Sequence, residues 1–314
     1  MSTPRTVSDE RRKGASRLGL GTVQFGLDYG VTNQGGRVGA EAAPQILEMS
    51  AGAGIDTLDT AHDYGESERV VGQSLPDGAS FRIVTKTPGF AAFDDSAPAV
   101  SHLTDAFRFS LERLRVERVH GLLFHHPADL LGAHGQALWA ACEKLKADGL
   151  VSKLGFSAYK GMEIDKALDR FPIEIVQLPY NVVDDRLVVG GQLARLAERG
   201  VEIHARSIFL QGLLLQSPDA LEPRFSALRP ALTALDQSCH EAGLSRLEGL
   251  LALVFQRCEI DRFLVGVTSI AEFQAILAAA ERAERAPPLD FIPPAIDPRI
   301  LNPSGWGDLP VSGP

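Results

Sequence analysis

The stretch GIDTLDTAHDYG, residues 54–65, decides the architecture. Its middle, Asp-Thr-Leu-Asp-Thr at 56–60, is a short strand candidate with two β-branched threonines, and it leads into a loop, Ala-His-Asp-Tyr-Gly, that carries polar groups. Working outward, comparable short runs recur at 18–22, 82–86, 119–125, 153–157, 175–179, 201–207 and 263–267, which makes eight. Between them lie stretches of helical periodicity such as 42–53, 101–114, 135–148, 187–199 and 247–257, most of them ending near a glycine or a basic residue. Strands that alternate with helices build βαβ units and a parallel sheet. Eight of them in about 270 residues predict a closed (β/α)8 barrel of the TIM type in one domain, in preference to an open doubly wound sheet. The domain expected is 17–286, between a polar N-terminal extension, 1–16, and a proline-rich tail, 287–314. The tail holds eight of the nineteen prolines, so it is expected to avoid helix and to lie extended over the surface or partly disordered.

Composition narrows the partners. Of 314 residues, 45% are hydrophobic and 23% charged, enough apolar mass for a substantial core and too much for intrinsic disorder. Lys and Arg number 31 against 40 Asp and Glu, a net charge of −9, so no global basic field draws in nucleic acid or an anionic membrane. Three widely spaced cysteines, Cys142, Cys239 and Cys258, contain no C-x-x-C pair. They argue against a disulfide framework and structural zinc, and they fit a reducing, cytoplasmic setting. No signal peptide is read at the N-terminus, and no run approaches the roughly 18 uninterrupted apolar residues of a membrane span.

In a (β/α)8 barrel the catalytic side chains come from the C-terminal ends of different strands. Asp59, Tyr64, Lys86 and His125 stand at such positions. A phenol is a poor acid at neutral pH, and a neighbouring ammonium stabilises its phenolate. An aspartate would keep that lysine charged and fixed, and a histidine could orient and polarise a carbonyl oxygen. Singly, each residue has a structural explanation. Asp59 could cap a helix, Lys86 could be solvated, Tyr64 could pack its turn, and His125 and His126 could be core and loop residues, or metal ligands with His120. Metal is not expected, because strand alternation sends 125 and 126 to opposite faces and no carboxylate sits at ligand spacing. The joint pattern is what points to acid–base chemistry.

The ordered motifs extend this reading: LGLGT (18–22), GIDTLDTAHDYG (54–65) followed by Ser67 and Glu68, VTK (84–86), SLERL (110–114) leading into LLFHHP (122–127), KLGFS (153–157), VQLPYN (176–181), LQGLL (210–214) and VGVTS (265–269). Over about 17–281 the chain resembles the aldo-keto reductase superfamily. The resemblance implies a (β/α)8 barrel that binds NAD(P)(H) across its C-terminal mouth, and no Gly-x-Gly-x-x-Gly follows a strand here. It assigns Tyr64 as general acid, Lys86 and Asp59 as its tuning partners, and His125 as the carbonyl-orienting group, since the family motif is His-x-Pro and the proline is Pro127. It also implies cofactor contacts at Gly21, Thr22, Asp59, Ser157, Gln177, Arg206, Ser207, Phe209, Gln211, Gly212, Gly266 and Thr268.

Two positions depart from the family pattern. Ala158 stands where an asparagine usually follows the serine, and Arg206 stands where an aromatic ring usually stacks on the nicotinamide. A guanidinium there is expected to shift the relative affinity for oxidised and reduced cofactor. NADPH is the family default. Residues 267–273 contain no Lys or Arg and one carboxylate, Glu272, which leaves NADH or dual use open. The substrate expected is a small-molecule carbonyl, polar in character, such as a sugar or small hydroxyaldehyde. Phe25 and His126 are the candidate contacts, with Gln24, Tyr180 and 301–306 nearby in the same reasoning. The alternative from another class is a cofactor-binding, redox-sensing subunit with little turnover.

Overall fold

The computed structural model describes residues 14–309. Eight strands follow one another around a closed barrel: β1 (Leu18–Gly21), β2 (Thr57–Asp59), β3 (Arg82–Lys86), β4 (Val119–Phe124), β5 (Val151–Ser157), β6 (Ile175–Pro179), β7 (Glu202–Arg206) and β8 (Arg262–Gly266). Every pairing is parallel, and β1 closes on β8 in a register that runs from Leu18↔Phe263 to Gly21↔Gly266. The expected strands are all present; β3 and β6 have the expected bounds and the others have ends displaced by at most two residues. The largest shift is at β5, which starts at Val151 where 153 was expected.

The helices are α1 (Val23–Gly26), α2 (Ala42–Gly52), α3 (Ser67–Ser74), α4 (Ser96–Leu114), α5 (Pro127–Leu131), α6 (Gly135–Ala147), α7 (Gly161–Arg170), α8 (Arg186–Val189), α9 (Gln192–Glu198), α10 (Arg229–Glu241), α11 (Arg246–Phe255) and α12 (Ile270–Glu284). The helix expected over 187–199 is broken into α8 and α9. Gly190 and Gly191 intervene, and Gly191 takes φ +77°, a left-handed conformation that interrupts the helix at little cost only for glycine.

The pleat sorts each strand into two faces. In β3, Val84 and Lys86 point along the barrel interior while Ile83 packs outward on the helices. Val84, Leu123 and Ile175 form a small apolar plug inside the barrel, separate from the large core between strands and helices. Close approach inside requires Gly155, where a Cβ would lie 1.6 Å from the Ile175 carbonyl oxygen.

The tail departs from expectation. Leu289, Ile300, Leu301, Trp306 and Leu309 are buried, and Pro303–Asp308 forms a 3-10 helix. Proline is tolerated in a first helical turn because its missing N–H has no partner there. Trp306 packs edge-on against Phe225 at 4.9 Å and donates to the Ile300 carbonyl at 2.8 Å, so the apolar positions of the tail overrule its prolines. Of the polar head, 1–13 lie outside the described residues, as do 310–314 of the tail; Gly14 at the edge of the head is buried and donates to Glu284. Cys142, Cys239 and Cys258 are free thiols. Among the described residues no helix is long and apolar enough to cross a membrane.

Candidate active site

Asp59 ends β2, Lys86 ends β3 and His125 directly follows β4, so the barrel brings their side chains to one mouth. Tyr64 arrives from the loop before α3. Its backbone packs so tightly on α1 that a Cβ at Gly26 would lie 1.9 Å from the Tyr64 carbonyl oxygen, and Gly65 follows at φ +57°. Glycine at both positions is what admits this approach. Behind it a chain of buried hydroxyls ties three segments together: Thr22 Oγ1 donates to the Asp59 carbonyl at 2.9 Å, Ser67 Oγ to the Thr22 carbonyl at 2.7 Å, and Thr60 Oγ1 lies 3.0 Å from Ser67 Oγ. Buried Glu68 accepts from Thr85 Oγ1 at 2.6 Å and from Arg113.

Lys86 Nζ is the hub. It donates to Asp59 Oδ1 at 2.8 Å, to the Thr60 carbonyl at 2.8 Å and to the Tyr64 hydroxyl at 3.4 Å. Burial works to discharge this ammonium, but Asp59 and Tyr64 more than offset it and hold the lysine above its ordinary range. For Tyr64 burial is the larger effect and raises the phenol, while the Lys86 charge pulls it down without cancelling the rise. Lys86 thus acts on the phenol in the expected direction, against a larger opposing effect of burial. In this site Tyr64 is a neutral acid that holds its proton, because desolvation of a phenolate outweighs one nearby ammonium that is already shared with Asp59. His125 meets the Tyr64 ring edge-on at 5.6 Å. Burial lowers it to about 3, with Lys86, His126 and Arg206 adding to the effect, so its imidazole is neutral.

Asp59, Tyr64 and His125 line one end of a cavity of about 950 Å³, with Lys86 buried behind them. From Tyr64 and His125 it runs past Ser157, Gln177, Arg206 and Phe209 to Gly266, Thr268 and Glu272 at the start of α12. The paired glycines Gly21 and Gly266 both line it and leave its floor without side chains. Gln24 also lines it, and its Oε1 is buried without a partner, an acceptor suited to a ligand amide or hydroxyl. Size, glycine floor and the orphaned acceptor fit a dinucleotide.

The expected cofactor residues divide by what their side chains already do. Ser157, Ser207, Gly212, Gly266 and Thr268 line the cavity. Gln177 lines it too, but its Nε2 donates to Asp59 Oδ1 at 2.7 Å. Gln211 is spent on a clasp: Oε1 accepts from Val31 N at 3.0 Å, and Nε2 donates to Tyr29 Oη at 3.0 Å. That clasp, with Thr32 Oγ1 on the Gln211 carbonyl at 2.9 Å, holds Ser207, Leu210 and Gln211 at left-handed φ of 62°, 48° and 52°. Thr22 is wholly buried and bonded within the scaffold, not along the cavity wall.

Arg206 and Ala158, the two departures, are coupled: Arg206 donates to the Ala158 carbonyl at 3.0 Å and stacks its guanidinium 4.3 Å over the Tyr159 ring. Phe25, expected to touch substrate, is buried in the core, because the turn of α1 directly after β1 rotates it inward. Tyr180 and Trp306 are likewise core residues, Tyr180 accepting from Arg257 at 3.0 Å.

His126 corrects a further expectation. The strand ladder ends at Phe124, so the pleat no longer sets where the next rings go. The His125 and His126 rings stack 5.0 Å apart at 14° in place of diverging, and a carboxylate remote in sequence, Asp63, lies 3.8 Å from His125 Nδ1. Asp63, Tyr29 and Tyr159 are site residues that sequence reasoning passed over; Asp63 and Tyr159 stood inside or beside quoted motifs, whereas nothing local marked Tyr29.

Comparison with known proteins bears out the fold and gives the family. Residues 17–285 match the model of the Aldo/keto reductase family. L-galactose dehydrogenase of Arabidopsis thaliana is 28% identical over 288 residues, covering 86% of this chain and 85% of that protein. An aldo-keto reductase of Mycolicibacterium vanbaalenii is 32% identical over 186 residues, 57% of this chain and 62% of that one. Among solved structures, the holo form of a Bacillus halodurans aldo-keto reductase superposes with a TM-score of 0.68 at 19% identity, covering 96% of this chain and 97% of that one. A family match that spans the barrel from its first strand to its last helix places this chain in the aldo/keto reductase family of oxidoreductases.

Proposed function

We propose that the protein reduces an aldehyde or ketone to an alcohol, or runs the reverse reaction, with NAD(P)(H) held along the 950 Å³ cavity and Tyr64 as the proton donor. The observation that carries this reading is the Lys86 ammonium, bonded at once to the Asp59 carboxylate and to the Tyr64 hydroxyl on the cavity wall. Bound nicotinamide would supply the hydride. The protein's part is to keep the Tyr64 proton in place until negative charge grows on the substrate oxygen. Lys86 then stabilises the phenolate that remains, and Asp59 keeps Lys86 charged throughout. Neutral His125 offers a hydrogen-bond donor to the same oxygen. In the oxidative direction the same residues act in reverse, with Tyr64 as base.

For the cofactor, Glu272 is the carboxylate on the cavity wall at the start of α12, where its Oε2 accepts from Thr268 N at 2.7 Å and Thr268 Oγ1 at 2.8 Å. A fixed anion there repels a phosphate dianion and suits ribose hydroxyls, so NADH is used alongside NADPH. Gln24, His125 and Arg206 make a polar surround that favours a sugar or small hydroxyaldehyde, a class in keeping with the name of the plant relative. The family relationship does not favour the sensing-subunit alternative.

The test is oxidation of NADPH and NADH, followed by absorbance, with a panel of polar and apolar aldehydes and with Tyr64→Phe. The variant should lose turnover by about 10² to 10⁴-fold while binding nucleotide nearly as well, because it removes a proton donor and not a nucleotide contact. Retained turnover in Tyr64→Phe would sink the assignment, and preference for apolar aldehydes would overturn the substrate class.

A further inference from the structure

Beside the reaction centre, three metal-type donors converge. Asp63 comes from the loop between β2 and α3, and His125 and His126 from the end of β4. One ligand atom of each lies within 4.8 Å of the others. The two imidazoles lie 5.0 Å apart and nearly parallel; each nitrogen lone pair lies in its ring plane, so a shared ion is met by a turn of the exposed His126 ring. Two polar atoms in this neighbourhood are buried without a hydrogen-bond partner, His125 Nδ1 and Asp129 Oδ2. Groups of this kind are costly to bury unless water or an ion meets them. Asp63 Oδ2 stands 3.8 Å from His125 Nδ1, too far for a hydrogen bond. A tetrahedral cation held about 2.0–2.1 Å from each would set them about 3.4 Å apart, so the pair needs to close by only about 0.4 Å to share one. Asp129 is near enough to act electrostatically on both His126 and Asp63, and its other oxygen is anchored by Phe90 N at 3.3 Å. Asp63 and His126 are exposed and give an ion its way in.

We propose that Asp63, His125 Nδ1 and His126 bind one divalent transition-metal ion of the zinc class, with Asp129 as an outer carboxylate that steadies the site. Two imidazoles and a carboxylate suit zinc, nickel or cobalt and offer little to magnesium or calcium, which take oxygen ligands. Coordination at Nδ1 leaves the proton of the neutral ring on Nε2, so the ion also fixes the tautomer of His125. The site reaches beyond the proposed reaction and does not depend on it.

The experiment is a titration of zinc chloride into the full-length, tag-free protein in competition with a chromophoric chelator, with no nucleotide present. One zinc per chain is expected, with Kd on the order of 1 µM or tighter. Asp63→Asn and His126→Ala should each weaken binding at least about tenfold, and Asp129→Asn should do so less strongly. Cys258→Ser, which removes the exposed thiol, should bind as the wild type does. Zinc should also raise the Tm of the wild type and not that of Asp63→Asn or His126→Ala, whose folding is checked by their metal-free melts. No competition with the chelator, or full affinity in both of those variants, overturns the site. An inactive protein that still binds zinc in this pattern would refute the reductase reading and leave the metal site standing. An active protein that binds none would refute the site alone.

Discussion

Two knots of buried charge sit at opposite ends of the same barrel. At the C-terminal mouth, Asp59 Oδ1 accepts from Lys86 and Gln177, and Lys86 also reaches Tyr64. At the N-terminal floor, Glu202 accepts from His204 Nε2 at 2.9 Å on one oxygen, and from His120 Nε2 at 2.9 Å and Lys153 Nζ at 2.6 Å on the other. The ingredients are similar: a buried carboxylate, a lysine and at least one further donor. None of the floor residues lines the cavity, whereas Asp59 and Tyr64 do. Burial of charge is therefore common to both ends; what sets the mouth apart is Tyr64, bonded to a fixed ammonium and facing the cavity, which is where the proposed reactivity would arise.

The largest break in that comparison is Lys86→Met. It should lower kcat by about 10² to 10⁴-fold, because the phenolate left after proton transfer loses its counter-charge. It should also lower Tm by stranding Asp59. Glu202→Gln is the matching change at the floor and should leave kcat near wild type. Its effect is on stability, a loss of about 3 kcal/mol read by chemical denaturation, since it uncouples a carboxylate from three buried or half-buried donors. A kcat loss as large as that of Lys86→Met would erase the distinction between the two knots.

The same floor residue sets an acid limb. Burial works against the Glu202 charge, but the bonds from His120, His204 and Lys153 win and hold the carboxyl far below its ordinary value of 4.5. A depressed carboxylate contributes stability that is fully present above that ordinary value and is lost as the pH falls below it. Wild-type stability should therefore drop below about pH 4.5 more steeply than that of Glu202→Gln, as melts across pH 3–6 would show. The smallest effect belongs to the far end of the mouth. Glu272→Lys should raise the ratio of kcat/KM for NADPH to that for NADH about tenfold, equivalent to 1.4 kcal/mol. An unchanged ratio would mean that Glu272 does not face the adenosine end.

Much of the mouth is legible in the sequence because the pleat acts locally. Asp59, Lys86 and Gln177 share the inward face of their strands, and a closed barrel can only bring inward strand ends together. The same rule failed one residue past its range, at His126, where pairing stops and the ring turns to stack on His125. It also could not see the Gln211 clasp, whose partners lie about 180 residues away in the loop between α1 and α2.

What the sequence determined by itself was the alternation of eight strands and helices, and with it a barrel carrying Asp59, Lys86 and His125 at one rim, since period-two faces and short connections are properties of neighbouring residues. Only the tertiary structure decided that the proline-rich tail is packed, that Phe25 belongs to the core, that Gln211 is spent on a clasp and that Asp63 meets two histidines. Each of these is a contact between segments far apart in the chain, chosen by which surfaces exclude water best once the barrel has closed, and no local pattern encodes that choice.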